Sequence, residues 1–307
     1  MVSFVKVTDL DDVTELLWAD GVQALLLAGG TDLLVRENSM EGRKLLVDIS
    51  SLPAILGIGL DENGFVRIGA GQTHQSIADN PLIQRRARVL SLACSAVGSL
   101  QIRNRGTIGG NLGNASPAGD SLPALACLDA HVHLVSKNRN RKVPIQEFFL
   151  GPGSTSRAPD ELIESVRFLP RNGRTVAFFK KAGQRLGMCC SKATVAFVAR
   201  RYGDGTLSQV KIALGAVAPT VIRVSEAEKI LEGKSLTTSL IGDAARACRE
   251  AALPIDDIRS TAKYRKNVVG ALLTEGLLEI FDHLRVLQQK SRMNRARRKR
   301  MTSRIAR

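Results

Sequence analysis

Two glycine-rich stretches contain the residues whose types and spacing are best suited to binding a charged ligand. The first, 29–32, reads Gly-Gly-Thr-Asp directly after an apolar run, and the second, 106–113, has glycine at four of its eight positions. Glycines this close together let the backbone take positive φ or approach a ligand tightly. Consecutive N–H groups in such turns form concavities that hold anions, and Thr31, Asn111 and Ser116 add neutral donors. We therefore expect the two turns to converge on a diphosphate, although purely structural turns also fit, because neither turn is a Gly-x-Gly-x-x-Gly fingerprint or a Walker loop.

The other reactive side chains favour neither a catalytic nor a metal site. His131 and His133 lie two apart on one predicted strand face, but no cysteine or carboxylate stands near them at ligand spacing, so a surface pair is the simpler interpretation. Asp129 is expected to end a helix. The five cysteines form an odd set without metal-ligand spacing, which indicates reduced thiols in a cytoplasmic protein. Adjacent Cys189 and Cys190 are either redox-active or, more simply, two buried small residues.

The elements that must position these residues follow from the hydrophobic pattern. Apolar or alternating runs predict strands at 2–7, 24–28, 45–49, 65–69, 131–135 and 161–169. Helical spacing occurs at 8–18, 73–79, 89–97 and after Leu122, and residues 151–156 are predicted to form a loop. The pattern favours an αβ domain with a mixed sheet.

The character of the sequence changes near 170–173, where Pro-Arg-Asn-Gly predicts a domain boundary. Beyond it, a strand at 176–179 precedes two apolar runs that flank Tyr202-Gly-Asp-Gly205, a hairpin signal. Helices are expected at about 224–232, 237–252 and 264–289. A β-hairpin followed by helices is therefore predicted for this second domain.

The net charge of +15 belongs mainly to one end of the chain. Ten of the 44 Lys and Arg residues fall within 285–307, with no acid among them, which leaves +5 for the remainder. A self-repelling basic block is typical of a disordered end, so we expect 291–307 to be a disordered tail. Contact with an acidic partner, a membrane surface or nucleic acid are the alternatives for this tail.

Composition also argues against several classes of protein. Aromatic residues make up 4% of the chain, which leaves few stacking platforms for nucleic acid, so nucleic-acid binding is not expected. No apolar run reaches the roughly 18 residues of a membrane span. The first twelve residues lack the basic and apolar regions of a signal peptide.

The combination of motifs is more specific than any one of them. The run Ala28-Gly-Gly-Thr-Asp-Leu-Leu34 together with 107–121 closely resembles the FAD-binding (medium) subunit of the molybdenum hydroxylases, the family of xanthine dehydrogenase, aldehyde oxidase and carbon monoxide dehydrogenase. Further similar segments follow in order at 101–106, 178–185, 213–220 and 259–265, so the resemblance covers about residues 3–285.

The resemblance implies an α+β fold. It predicts a vanillyl-alcohol-oxidase-type FAD-binding domain at 1–170, made of two subdomains at about 1–56 and 57–170 with the flavin between them. A smaller C-terminal domain of the molybdenum hydroxylase flavoprotein type would follow at 171–290, with a three-stranded antiparallel sheet and helices.

The resemblance also implies which residues bind FAD. The first glycine turn would hold the diphosphate, the second would continue the cradle, and Ser116 and Asp120 would lie near the ribityl chain or the ring. Leu162, Ile163 and Lys180 would approach the flavin ring, where Lys180 could stabilise the anionic reduced flavin; a solvated lysine on a strand is the alternative. The implied cofactor-binding residues are Leu27, Ala28, Gly29, Gly30, Thr31, Asp32, Leu33, Gly106, Thr107, Gly109, Gly110, Asn111, Asn114, Ser116, Asp120, Leu162, Ile163 and Lys180.

Electron transfer is the chemistry that the resemblance implies. Electrons would leave a substrate at a molybdenum cofactor in a large partner subunit and pass through [2Fe-2S] clusters in a small partner subunit. They would then reach the FAD of this chain, which would reduce NAD⁺ or another acceptor. A xanthine-like purine, an aldehyde, carbon monoxide or an N-heterocycle would be the substrate on the molybdenum subunit. The alternatives are a non-enzymatic protein that binds nucleic acid or an acidic partner through the basic tail, and a stand-alone flavin oxidoreductase.

One segment departs from the family pattern. Members of the family commonly carry an Arg-Arg-Ala-x-Asp-Ile-Ala type of run, whereas residues 184–190 read Gln-Arg-Leu-Gly-Met-Cys-Cys, with one arginine and no acid. A contact that the acid makes in the family, for example to a partner subunit, is therefore not expected here.

Overall fold

The computed structural model of the chain describes residues 2–20, 23–35, 41–171, 173–185 and 188–282. The predicted tail at 291–307 and the end of the predicted helix 264–289 lie outside these residues.

The N-terminal segment forms a small parallel sheet. Its strands are β1 (Ser3–Lys6), β2 (Ala24–Leu27) and β3 (Leu45–Asp48), in the order β1-β3-β2, and the helix α1 (Leu10–Asp20) connects β1 to β2. Helix α1 begins where the Asp9 carboxylate accepts the Asp11 N–H at 2.8 Å. The acidic residues in its first turn interact favourably with the positive end of the helix dipole. Val13 and Leu17 on its inner face are buried in the same core as Val47 of β3. This packing holds the parallel sheet in place, and its strand β2 leads directly into the first glycine turn.

The next segment forms an antiparallel sheet. A 3₁₀ helix at Pro53–Ile55 precedes its strands, which are β4 (Ile58–Leu60), β5 (Val66–Gly69), β6 (His131–Val135), β7 (Asn140–Pro144) and β10 (Leu162–Phe168). Their order is β4-β5-β10-β6-β7. The expected mixed sheet is therefore wrong: a parallel and an antiparallel sheet are present, because apolar periodicity identifies strands but not their pairing.

Short capped helices fill the connection between β5 and β6. They are α2 (His74–Asp79), α3 (Pro81–Arg86), α4 (Arg88–Ser95), α5 (Leu100–Arg105), α6 (Ile108–Asn114) and α7 (Ser121–Cys127). The side chains of Thr73, Asn80, Ser99 and Thr107 accept backbone N–H groups at four of the helix starts, as residues of these types commonly do. Helix α8 (Ile145–Phe148) and the hairpin β8 (Phe149–Gly151) and β9 (Ser154–Thr155) follow β7, so part of the predicted loop 151–156 is a small hairpin.

The C-terminal segment has its own antiparallel sheet. The strands β11 (Thr175–Ala182), β12 (Ala193–Arg201), β13 (Leu207–Gly215) and β14 (Ile222–Arg223) pair in chain order. Three long strands were expected, and the two-residue β14 adds a fourth by pairing with Ala213 and Leu214. The helices α9 (Ser225–Leu231), α10 (Thr238–Ala251) and α11 (262–282) complete the described part of this segment.

The C-terminal sheet is covered on both faces. Residues 193–199 of β12 form a continuous run of seven buried residues. Ala196 and Val198 belong to the core of the N-terminal two thirds, whereas Val195 and Phe197 pack with Val269 of α11 in a second core. The sheet therefore fixes the C-terminal segment directly against the helices α4 and α7.

Candidate functional site

A cavity of about 650 Å³ lies between the first glycine turn, α5, α6, the start of β10 and the C-terminal domain. Its volume falls within the roughly 300–1,000 Å³ that is typical of small-molecule sites. All of the predicted cofactor-binding residues except Leu27, Asp120 and Lys180 line this cavity. The fold thus gathers residues from distant parts of the sequence around one space.

The two glycine stretches pack directly against each other. A Cβ atom added to Gly29 would lie 1.9 Å from the carbonyl oxygen of Arg105 and 3.1 Å from the Cα of Gly106. A Cβ atom on Gly106 would in turn lie 3.2 Å from the Thr31 hydroxyl oxygen. The stretches therefore meet, as their residue types predict, and the contact at Gly29 has no room for a side chain.

The first glycine turn contains backbone N–H groups that have no acceptor among the described residues. Gly30 has φ = 72°, a conformation that glycine adopts without strain. Within the described ranges no acceptor takes the backbone N–H of Gly29, Gly30 or Thr31. Neighbouring N–H groups of this kind can hold an anion.

The second glycine stretch is mostly a helix, so the prediction of a turn at 106–113 is wrong. Thr107 caps α6 by accepting the Gly110 N–H at 3.0 Å, and the Gly109 N–H donates to the carbonyl of Ala70 at 2.8 Å. These N–H groups are already paired within the protein. The glycine at 109 serves a close approach instead, because a Cβ atom there would lie 2.6 Å from the Cβ of Ala70. The low helix propensity of glycine conceals this helix in the sequence.

Polar side chains on and after α6 face the cavity. The Ser121 hydroxyl donates to Asn111 Oδ1 at 2.7 Å, which leaves the Asn111 amide group as a donor. The Ala118 N–H donates to Ser116 Oγ at 3.3 Å, so the Ser116 hydroxyl keeps its own hydrogen for another partner. Both side chains are therefore suited to contacting oxygen atoms of a ligand.

His74 is a lining residue that the sequence analysis missed, because nothing in its neighbourhood distinguishes it from an ordinary helix residue. Its side chain is 3% exposed, and its Nδ1 atom has no hydrogen-bond partner among the described residues. Burial, assisted by the positive charge of Arg103, lowers the pKa of His74 to about 4, so the imidazole is neutral near pH 7. An unpaired ring nitrogen beside a cavity has hydrogen-bonding capacity for a ligand or an ordered water.

Lys180 lies away from the cavity. Its Nζ donates to Glu275 at 2.8 Å and to Glu279 at 2.6 Å, on the face of β11 that meets α11. Because successive residues of a strand point to opposite faces, Lys181 points the other way and donates to Asp120 at 2.6 Å. The expectation that Lys180 approaches a flavin ring does not fit this geometry, because its ammonium group is paired with two carboxylates of α11.

Asp120 stands behind the cavity wall instead of lining it. Its side chain is 6% exposed, binds Lys181, and accepts the Ser191 hydroxyl at 2.5 Å. Burial raises the pKa of Asp120, whereas the charge of Lys181 and the two hydrogen bonds lower it. Since Lys181 and Ser191 belong to the C-terminal domain, this network ties that domain to the segment that carries Ser116.

Arg157 is a second lining residue that the sequence analysis missed. Its Nη1 donates to the carbonyl oxygens of Ala158 at 3.1 Å and Glu161 at 2.6 Å. Burial lowers the pKa of Arg157, whereas the charges of Glu161 and Asp160 raise it. Among the described lining residues, the Lys and Arg side chains are those of Arg157 and Arg259. No motif marked Arg157, because its position depends on how the loop before β10 folds back.

The C-terminal domain supplies one wall of the cavity. Met188, Cys189, Cys190 and Arg259 line it. The run at 184–190 and the motif that starts at Arg259 are both recognisable in the sequence, but neither pattern indicates a place at the ligand site. Their approach depends on the packing of the two domains, which short-range patterns do not reveal.

Two family profiles match the chain. The profile described as the FAD binding domain in molybdopterin dehydrogenase matches residues 1–171, and that described as the CO dehydrogenase flavoprotein C-terminal domain matches residues 177–280. Within the described ranges, no helix has the length and apolar character needed to cross a membrane.

Several known proteins are similar over nearly the whole chain. The putative xanthine dehydrogenase FAD-binding subunit of Escherichia coli K12 is 32% identical over 281 residues, which cover 90% of this chain and 95% of the relative. The carbon monoxide dehydrogenase medium chain of Hydrogenophaga pseudoflava is 32% identical over 268 residues, 87% of this chain and 92% of the relative. A solved structure of carbon monoxide dehydrogenase from the same organism, lacking the Mo-pyranopterin moiety of its molybdenum cofactor, matches with a TM-score of 0.84 at 31% identity, covering 90% of this chain and 96% of that chain.

Proposed function

The chain belongs to the family of FAD-binding subunits of the molybdopterin dehydrogenases, oxidoreductases of the xanthine and carbon monoxide dehydrogenase type, and we propose that it is the electron-transfer flavoprotein of a molybdenum hydroxylase. The observation that carries this proposal is the cavity lined by the first glycine turn, where the backbone N–H groups of 29–31 have no acceptor among the described residues. Such a bare backbone suits the close approach of a dinucleotide diphosphate.

The residues around the cavity fit FAD. The turn at 29–31 offers backbone N–H groups without an acceptor among the described residues, which suits a diphosphate. Within the described part of the chain, no acceptor takes the side-chain donor hydrogens of Asn111 and Ser116. Within the same part, Nδ1 of the neutral His74 ring has no partner beside the cavity. We infer that 28–32 hold the diphosphate and that Thr107 to Asn111 contribute close packing and side-chain contacts more than backbone donors.

The cavity also supports the finer fold proposal, a vanillyl-alcohol-oxidase-type domain that holds the cofactor between two subdomains. Ala28 and Thr31 follow the parallel sheet, whereas Leu162 and Ile163 begin the strand β10 of the antiparallel sheet, and all four line the same space. A ligand in this space would therefore contact both the segment that follows the parallel sheet and the start of β10 in the antiparallel sheet. The C-terminal wall, with Cys190, then closes the cavity from a third side.

Bound FAD supplies the chemistry of accepting and releasing one or two electrons. The chain orients it and sets its electrostatic environment. Arg157 is the cation that we assign to this role in place of Lys180, because it is partly buried, donates to the carbonyl of Glu161 just before β10, and lines the cavity. A buried positive charge stabilises added negative charge more strongly than an exposed one, since water screens it less.

We propose that the electrons arrive from [2Fe-2S] clusters of a small partner subunit and leave to NAD⁺ or another acceptor. The relative from Hydrogenophaga pseudoflava is named a medium chain, which supports an assembly with a large, molybdenum-binding partner and a small one. The substrate is chosen on the molybdenum subunit. Relatives with the same 32% identity carry the names of chemically unrelated substrates, xanthine and carbon monoxide, so this chain does not distinguish among a purine, an aldehyde, carbon monoxide and an N-heterocycle. Free thiols at all five cysteines support a reducing, cytoplasmic setting.

The proposal is tested on the purified full chain. We expect a yellow protein whose flavin absorption bands survive gel filtration, and whose FAD is released on denaturation and identified by mass. An apoprotein that cannot be reconstituted with FAD would overturn the proposed function. Co-purification of a molybdenum-containing large subunit and an iron–sulfur small subunit from the native source tests the assembly, and the substrate of that complex identifies the reaction.

A further inference from the structure

Three sulfur-containing side chains follow one another in the C-terminal wall of the cavity: Met188, Cys189 and Cys190. Cys190 is exposed and Cys189 is partly exposed, whereas Cys94, Cys127 and Cys248 are buried. The chain therefore places its two accessible thiols side by side at the cavity that we propose for a redox cofactor.

The backbone around the pair holds the two thiols differently. Cys189 Sγ lies 3.2 Å from the carbonyl oxygen of Arg185, to which it donates. A Cβ atom on Gly183 would lie 2.1 Å from this sulfur, so glycine at 183 creates the space in which it sits. Cys189 is thus held against its own loop, whereas Cys190 is the more exposed of the two residues.

Arg259 provides a positive charge beside Cys190. Its Nε donates to Asp257 at 3.0 Å, and the pKa of Arg259 is raised first by Asp257 and to a lesser extent by the neighbouring Cys190. Arg259 lines the same cavity. The thiolate is the nucleophilic form of cysteine, and Arg259 is a cation of the same cavity wall that can pair with it once it forms.

We propose that Cys189 and Cys190 form a peroxide-responsive dithiol in the wall of the flavin cavity, with Cys190 as the nucleophile and Cys189 as the resolving thiol. The Cys190 thiolate attacks one oxygen of hydrogen peroxide, the O–O bond breaks, and Cys190 sulfenic acid forms as hydroxide leaves and takes up a proton to become water. The Cys189 thiol then attacks the Cys190 sulfur, forming the S–S bond and releasing a second water. Two thiols are oxidised and one peroxide is reduced to two waters.

The location explains where the oxidant comes from, and in this respect the inference rests on the proposed function. Bound FAD would supply the chemistry for this oxidant, since reduction of dioxygen by two electrons and two protons gives hydrogen peroxide, and Met188, Cys189 and Cys190 line the cavity that would hold it. The product would also be readily reversed. Adjacent Cα atoms lie about 3.8 Å apart, less than the roughly 4.4–6.8 Å of ordinary disulfides, and strained disulfides are the more easily reduced ones.

The test uses the full chain, with its FAD content measured beforehand. After one equivalent of hydrogen peroxide, we expect the intact mass to fall by two hydrogen atoms, the change to map to the peptide with Cys189 and Cys190, and a dithiol reductant to restore the original mass. In Cys189→Ser, dimedone should trap a sulfenic acid on Cys190. In Cys190→Ser, dimedone should label neither position. Arg259→Gln should slow the trapping reaction severalfold.

Buried cysteines of the same chain serve as internal controls. Burial raises the pKa of Cys127 and of Cys248 to about 12, with smaller effects from neighbouring charges, so these thiols should stay unmodified. Oxidation of Cys189 and Cys190 no faster than that of Cys127, or a disulfide only between two chains, would overturn the inference. A chain that holds FAD but has inert thiols contradicts only this inference, whereas a chain that oxidises the pair but binds no FAD contradicts the proposed function.

Discussion

Replacing Gly29 with alanine tests whether the contact between the two glycine stretches builds the ligand site. Gly29 has no positive φ, so alanine suits its backbone conformation and the substitution probes space alone. The new Cβ would lie 1.9 Å from the Arg105 carbonyl oxygen and 2.7 Å from the carbonyl carbon, both backbone atoms. Ordinary contact begins at about 3.4 Å, so the two segments must separate by about 1.5 Å.

That separation sets the expected magnitude. Overpacking of a filled site typically costs about 1–3 kcal/mol. The free protein can relax by opening the contact, but the bound state needs the N–H groups of the first turn in place, so the cost should appear mainly in FAD binding. Because about 1.4 kcal/mol corresponds to a tenfold change in affinity, the dissociation constant for FAD should rise about 5- to 150-fold.

The assay is titration of the apoprotein with FAD, followed by the quenching of flavin fluorescence, with circular dichroism to verify the fold. Gly59→Ala is the matched control. Gly59 lies on β4 outside the cavity, and a Cβ atom there meets nothing within 4 Å. This variant should bind FAD normally and gain up to about 1 kcal/mol of stability. Unchanged FAD affinity in folded Gly29→Ala would refute the argument.

Three further predictions concern single side chains. Asp120→Asn should lower the free energy of unfolding in urea by about 3 kcal/mol, because it removes the negative charge that pairs with the partly buried Lys181. Asp120→Leu combined with Lys181→Met should recover much of the loss. Arg157→Gln should make the flavin midpoint potential more negative by on the order of 30 mV, measured by spectroelectrochemistry. Lys180→Gln is the control and should leave the potential unchanged. A larger shift in Lys180→Gln than in Arg157→Gln would restore the role first expected of Lys180. The lowered pKa of His74 means that protonation favours the unfolded chain, so the free energy of unfolding should fall by about 3 kcal/mol between pH 6.5 and pH 4. This part of the pH dependence should be missing in His74→Gln. If it persists in that variant, another group causes it.

The glycine stretches show what the sequence could and could not establish. Their composition correctly predicted that they meet, since few other residues tolerate so close a backbone contact as that of Gly29 with Arg105. Composition could not reveal that Gly109 lies in a helix, because the cap of Thr107 and the hydrogen bond to Ala70 outweigh the low helix propensity of glycine.

The lysine pair shows a different limit. Lys180 and Lys181 are adjacent and identical in type, so the sequence does not show which of them lies on the face of β11 that meets the FAD-binding domain. That assignment depends on how β11 packs between α4 and α11, which is a tertiary contact. The role of Arg157 could not be predicted for the same reason. Its guanidinium is positioned at the start of β10 by a hydrogen bond to the carbonyl of Glu161.

The buried network around Asp120 connects these observations. Asp120 follows the segment of Ser116, while Ser191 follows the Cys189–Cys190 pair, and the bond between Asp120 and Ser191 joins two walls of one cavity. A buried ion pair adds little net stability compared with apolar packing, but breaking it is costly, so the pair with Lys181 fixes the relative position of the walls more than it strengthens the fold. The double replacement by Leu and Met should therefore leave the chain stable while loosening the cavity. We expect this variant to bind FAD more weakly than the wild type even where its free energy of unfolding is close to that of the wild type. If it keeps full affinity for FAD, the network contributes to stability and does not position the cavity walls.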